Sequence, residues 1–205
     1  MSPFDSPNLG KKVTLLLAHG AGAGAHSDFM QGVRERLIDT PIDPIRFNFP
    51  YMQQMVEEQR RRPPTALPTL ISSYQEIIES IGTQIQRPLW IGGKSMGGRV
   101  ATHLIDHPKI AGVIALGYPF HPPGKPDKLR TDHLCNLKKP LHILQGERDT
   151  FGTQIEVNRY RLERSIHLHW IKDGDHSFKP RKSSGVSLEQ NLDEAAKMIT
   201  SIILS

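Results

Sequence analysis

Six short runs of apolar and β-branched residues, separated by stretches with helical spacing, constrain this chain more than any other feature. Val13–Ala18 reads VTLLLA, a length and composition that suit a strand buried on both faces. Residues 44–49 (PIRFNF) alternate, and 89–92, 111–116 (AGVIAL), 141–144 and Ile166–Ile171 give further strand patterns. Helical patterns are predicted over 26–38, 69–85, 96–106 and 153–164. A last one runs from 187 to 203, with Leu188, Leu192, Ala195, Met198, Ile199 and Ile202 on one stripe. Strand–helix alternation with apolar strands predicts a three-layer α/β/α sandwich around a mainly parallel sheet of about six strands. Right-handed crossovers then bring the C-terminal ends of the strands to one edge, where ligands bind in open α/β sheets.

Two segments break the alternation. Residues 50–68 and 118–140 are rich in proline and polar residues and follow strands, so both are expected to arch over that edge. Neither reads as a linker, and 1–205 is expected to form a single domain.

Composition narrows the function classes. No apolar run approaches the roughly 20 residues needed to cross a bilayer, and residues 1–10 lack the pattern of a secretory signal. A cytoplasmic protein without membrane association is expected, and the single Cys135 rules out an internal disulfide. The net charge of +5 raises the question of nucleic acid. However, Arg60, Arg61 and Arg62 follow Glu57 and Glu58, and Arg159, Arg161 and Arg164 are interspersed with Glu156 and Glu163. With acidic residues beside both groups, a solvated surface is expected and no nucleic-acid partner. No heptads point to an oligomeric state.

The strand-end residues carry the chemistry. After 89–92 the chain reads Gly93-Lys94-Ser95-Met96-Gly97-Gly98, which matches the G-x-S-x-G nucleophile elbow in its strand–turn–helix setting. A serine there occupies a tight turn with its hydroxyl clear of the backbone. Glycines two before and two after let strand and helix approach. The tail GKS also resembles a phosphate loop, but Pro88 stands where that motif needs glycine.

The first strand runs into His19-Gly20-Ala21-Gly22-Ala23-Gly24. A dinucleotide loop would want an acidic residue near the end of the next strand, which instead reads Phe47-Asn48-Phe49-Pro50. An oxyanion-hole loop is the better reading, with one N–H from Met96 and a second from Ala21, or alternatively Gly22. His19 is expected to structure that loop.

Of the ten histidines, His176 lies in a loop between the last strand and the last helix, where an imidazole returns over the sheet edge. His167 and His169 share one face of a strand but have no third metal ligand in sequence, and no metal or cofactor is expected. The orienting acid is expected at Asp149 in QGERD, with Glu147 as nearest rival and a helix cap near Thr153 as the competing role. Asp175, adjacent to His176, cannot easily turn onto that ring.

With Ser95, Asp149 and His176 in that chain order, the sequence resembles the α/β-hydrolase superfamily from Val13 to the last helix. HGAGAG, GKSMGG, YPFHPPGKP and QGERD look like a small branch of bacterial hydrolases similar to dienelactone hydrolases, with animal relatives that include a subunit of a histone-acetylating complex. The resemblance implies a trimmed fold with strand order 2-1-3-4-5-6. Two departures matter: no long helical cap follows Leu116, and the elbow carries serine where dienelactone hydrolases have cysteine. The expectation is a serine hydrolase acting on a small ester, thioester or related acyl substrate; the alternative is a non-catalytic interaction module that keeps the fold. With only 50–68 and 118–140 as cover, and Tyr51 and Phe120 as apolar wall, the best acyl chains should have about two to four carbons.

Overall fold

A computed structural model describes residues 4–205; the first three residues of the segment read for a secretory signal lie outside the described residues. Six strands form one sheet: β1 (Val13–Ala18), β2 (Ile42–Phe47), β3 (Leu89–Lys94), β4 (Ile110–Leu116), β5 (Leu141–Gly146) and β6 (Ile166–Ile171). Their order is β2-β1-β3-β4-β5-β6 and every pairing is parallel. Helices α1 (Asp28–Leu37), α2 (Pro50–Glu58), α3 (Leu67–Gly82), α4 (Met96–Thr102), α5 (Gln154–Val157) and α6 (Leu188–Leu204) cover both faces.

The two faces bury two cores. Met30, Val33 and Leu37 of α1 and Leu192, Ala195 and Ile199 of α6 pack on Leu15, Leu17, Ile114, Leu144 and Ile171. On the other face Leu70, Tyr74 and Ile78 of α3 and Val100 and Ala101 of α4 pack on Leu16, Ile45, Ile91 and Val113. Alternate residues of β1 thus enter opposite cores, which is why that strand is apolar throughout. Tyr74 is fully buried, and its hydroxyl accepts from Gly92 N–H at 3.1 Å while lying 2.8 Å from Leu16 O and 2.7 Å from Gly92 O. One phenol therefore ties α3 to β1 and β3 just below the site.

Several boundaries differ from the sequence reading. Strand β2 begins two residues earlier than expected; as the edge strand it tolerates Pro44, whose nitrogen cannot join a ladder. Helix α4 ends at Thr102, after which 3.0–3.5 Å bonds from His103, Leu104 and Ile105 to carbonyls three residues back tighten the coil. Helix α5 has one turn in place of the predicted three, closed at its start by a Thr153–Glu156 capping box. The segment 50–68 is corrected most: Pro50 sits in the first turn of α2, where its missing N–H costs nothing. Among the described residues no helix is long and apolar enough to cross a membrane.

Candidate active site

Parallel pairing brings the C-terminal ends of β1, β3, β4, β5 and β6 to one edge. At the end of β3 the chain reverses through Ser95, whose φ of 51° and ψ of −113° are a strained combination for a residue with a side chain. Close packing holds it there. A Cβ on Gly93 would lie 2.4 Å from Ala18 O, and one on Gly97 would lie 2.5 Å from His19 O. Ser95 N–H donates to Leu116 O at 2.9 Å, anchoring the turn to β4.

Three side chains from three elements meet at this turn. His176 Nε2 is 2.8 Å from Ser95 Oγ, and His176 Nδ1 is 2.8 Å from Asp149 Oδ2. Asp149 is fully buried and also accepts from Phe151 N–H at 2.9 Å and Gln145 Nε2 at 3.0 Å. Donors therefore converge on the carboxylate, which assigns the proton to Nδ1 and leaves Nε2 to accept from the serine hydroxyl. The Phe151 ring stacks on the imidazole with centroids 4.2 Å apart. The competing carboxylates are engaged elsewhere: Glu147 accepts from Asp173 N–H at 2.7 Å, and Asp175 from Ser177 and Lys179 N–H at 2.7 and 3.0 Å. The cap of α5 is Thr153, so Asp149 does not have that role.

The loop after β1 lies against the same turn. A Cβ on Gly20 would come within 3.7 Å of Ser95 Cβ, and the N–H groups of Ala21, Gly22 and Met96 donate to no carbonyl among the described residues. Tyr51 Oη, 3.3 Å from Ala21 O, braces that peptide from α2. His19 structures the loop, as expected. Its Nδ1 is 2.6 Å from Gly20 O and its Nε2 accepts from Phe49 N–H at 3.1 Å. Burial pulls this imidazole down to about 4, so it is neutral at neutral pH.

Three contributors escaped the sequence reading. Lys94, noticed only as the tail of a failed phosphate loop, is buried and donates to His176 O, with its ammonium 5.1 Å from the Phe29 ring centre. Burial lowers it to about 8 against the opposing pull of Asp149 and Asp175. Gln145 and Phe151 hold the carboxylate, and for the first the available signal was a glutamine directly after the apolar Ile143-Leu144 of the strand pattern.

Ser95 and His176 open into a cavity of about 930 Å³ whose apolar walls include Phe29, Phe151, Leu188 and Leu192. This corrects the expected wall. Tyr51 and Phe120 are buried in the core, and neither 50–68 nor 118–140 lines the cavity; α1, the loop after β6 and the start of α6 do. His167 and His169 gain a neighbour in His142, whose Nδ1 is 3.1 Å from His169 Nε2, on the α1/α6 face. Among the described residues no group of three or more His, Cys, Asp or Glu side chains could hold a metal ion.

A six-stranded parallel sheet with a strained serine at its functional edge defines an α/β-fold hydrolase. More particularly, a family model described as an alpha/beta hydrolase domain matches residues 11–204, and the chain belongs to that family. Among solved structures it is similar to an alpha-beta serine hydrolase homologue from Coxiella burnetii (TM-score 0.71, 12% identity, 98% of this chain and 89% of that one). Est1E from Butyrivibrio proteoclasticus gives 0.71 at 14% identity over 98% and 93% of the two chains. A dienelactone hydrolase from Anabaena variabilis gives 0.68 at 20% identity over 98% and 89%. At these identities the likeness is one of fold, while family membership supports hydrolase activity as a class.

His19 provides a test of the electrostatics. A histidine held neutral in the fold, with a pKa below its unfolded value near 6.5, contributes stability that is complete above that value and is lost as pH falls towards 4. For His19 the loss is on the order of 3 kcal/mol between pH 6.5 and 4. Urea unfolding at steps across this window should show falling stability, and NMR should find the His19 imidazole still neutral at pH 5. Flat stability, or a His19 titration near 6.5, would contradict the burial argument.

Proposed function

We propose that this chain hydrolyses carboxylic esters, thioesters or related acyl compounds through an acyl-enzyme on Ser95, acting on a small-molecule substrate without a cofactor. The observation that carries the reading is the unbroken relay Ser95 Oγ–His176 Nε2 and His176 Nδ1–Asp149, at 2.8 Å on both sides, with its serine open to the cavity.

Ser95 Oγ attacks the carbonyl carbon while His176 Nε2 takes its proton, and the carbonyl π pair moves onto oxygen. The N–H groups of Met96 and Ala21, with Gly22 as alternate, donate to that oxyanion. Collapse expels the alkoxide or thiolate, which takes the proton from His176. Water then gives a proton to His176 as it attacks the acyl-enzyme, and Ser95 recovers its proton as the acid leaves. Asp149 holds the tautomer and stabilises the imidazolium at each stage.

The cavity bears on substrate size. Its volume falls within the range of pockets that bury drug-sized ligands, about 300–1,000 Å³. The expectation of an optimum at two to four carbons rested on a cover that does not line the site. With Phe29, Leu188 and Leu192 as wall, each added CH₂ that reaches them contributes about 0.8 kcal/mol.

Two experiments test this reading. Ser95→Ala should remove esterase activity while the protein stays folded, Asp149→Asn should lower kcat by about three to four orders of magnitude, and Glu147→Gln should change it only a few-fold. Activity retained in Ser95→Ala, or a larger loss in Glu147→Gln than in Asp149→Asn, would overturn the assignment. Across p-nitrophenyl esters from acetate to palmitate, kcat/KM should climb beyond butyrate before it falls. A maximum at acetate would mean that the cavity does not receive the acyl chain.

A further inference from the structure

One turn beyond Ser95, outside the cavity it opens into, positive groups gather without a counter-charge. Arg99 on α4 and Arg130 in the 118–140 segment form no ion pair among the described residues, although twelve such contacts are made elsewhere in the described chain. His103 caps the end of α4, and its ring stacks on His133 with centroids 3.6 Å apart and planes 9° from parallel. His133 Nε2 is 2.9 Å from Thr102 Oγ1, whose own proton goes to Arg99 O at 2.7 Å. Tyr118 Oη donates to Arg130 O at 2.7 Å, and Arg130 N–H donates to Phe120 O at 2.8 Å, so the arginine is fixed although it lies in a loop.

The charged and titratable groups that face this point from α4 and from the 118–140 segment are Arg99, His103, Tyr118, Arg130 and His133. No carboxylate is among them. Burial and Arg99 together lower Arg130, and burial with His103 and Arg99 lowers His133 to about 4. Arg99 Nε, a donor in every state, and His103 Nε2, whose role follows its tautomer, are buried with no hydrogen-bond partner among the described residues. Like charges held together beside a buried donor that goes unused cost stability.

We infer that Arg99, Arg130, His103 and His133 form a binding site for a phosphate-bearing dianion, separate from the Ser95 cavity. Two guanidiniums carry two fixed charges, and their planar forks match phosphate oxygens through charge-assisted bonds. A dianion neutralises both, whereas a single carboxylate would leave one in excess. Tyr118 and Thr102 hydroxyls lie in the same cluster. The two segments it joins, α4 and 118–140, pack beside the site, so an anion would clamp them together. The ligand is taken to be a small soluble phosphate monoester or inorganic phosphate.

The full chain can be titrated with inorganic phosphate and glycerol 3-phosphate at constant ionic strength, with chloride and acetate as controls. Thermal unfolding and the imidazole resonances of His103 and His133 provide the readouts. Phosphate should raise Tm saturably in the millimolar range and move the His133 titration upward, since a nearby anion favours the imidazolium. Arg99→Gln and Arg130→Gln should each weaken the effect at least tenfold; Arg130→Gln, in a surface loop, serves if Arg99→Gln does not fold. Chloride matching phosphate would reduce the effect to screening and overturn the site, as would an undiminished response in Arg130→Gln. Pelleting with phosphatidate vesicles while both soluble phosphates leave Tm unchanged would overturn the assignment to a small soluble anion.

Discussion

The conformation of Ser95 is the constraint on which the rest of the site depends. A serine at φ 51° and ψ −113° costs on the order of 1–3 kcal/mol, and it persists only because its surroundings permit nothing else. Gly93 and Gly97 let the elbow lie directly on the β1 carbonyls of Ala18 and on His19 O, where any Cβ would overlap. Burial of β1 and β3 in the middle of the sheet and the Tyr74 hydroxyl beneath them give that packing a rigid base. The strain is thus borne by the two cores and spent on projecting one hydroxyl towards an imidazole.

The polar groups around the elbow are arranged in the same spirit. Asp149 is fully buried, yet its donors come from a backbone N–H, a glutamine and the imidazole, so its desolvation is offset at each oxygen. Lys94, on the residue just before the serine, reaches under the turn to the His176 carbonyl and fastens the histidine loop to β3. Ser95, Asp149 and His176 therefore follow β3, β5 and β6, parallel strands of one sheet whose C-terminal ends share an edge. The lowered pKa of Lys94 reflects how dry this junction is.

Much of this was legible in sequence because the signals were local. The apolar run of β1, the glycine spacing around Ser95 and the loop position of His176 each report a backbone requirement that a few residues satisfy. Long-range packing was not legible. Residues 50–68 read as irregular cover because proline marks both breaks and helix starts, and Pro50 proved to be the latter. Tyr51 and Phe120 read as pocket wall because nothing local says which way an aromatic turns, and both turn inward. The real wall comes from Phe29 on α1 and from Leu188 and Leu192 on α6, far apart in the chain and joined only by packing. The same holds for the positive cluster, whose members Arg99 and Arg130 are brought together by the fold of a proline-rich segment.

The central claim is that the strained turn delivers an activated serine, which a non-catalytic module with the same fold would lack. Reaction with a fluorophosphonate, followed by intact-mass and peptide analysis, tests it most directly, since the reagent needs a serine whose proton can be taken as it attacks. The account predicts one adduct per chain, located on Ser95. Folded protein that forms no adduct, or carries it on another residue, would contradict it.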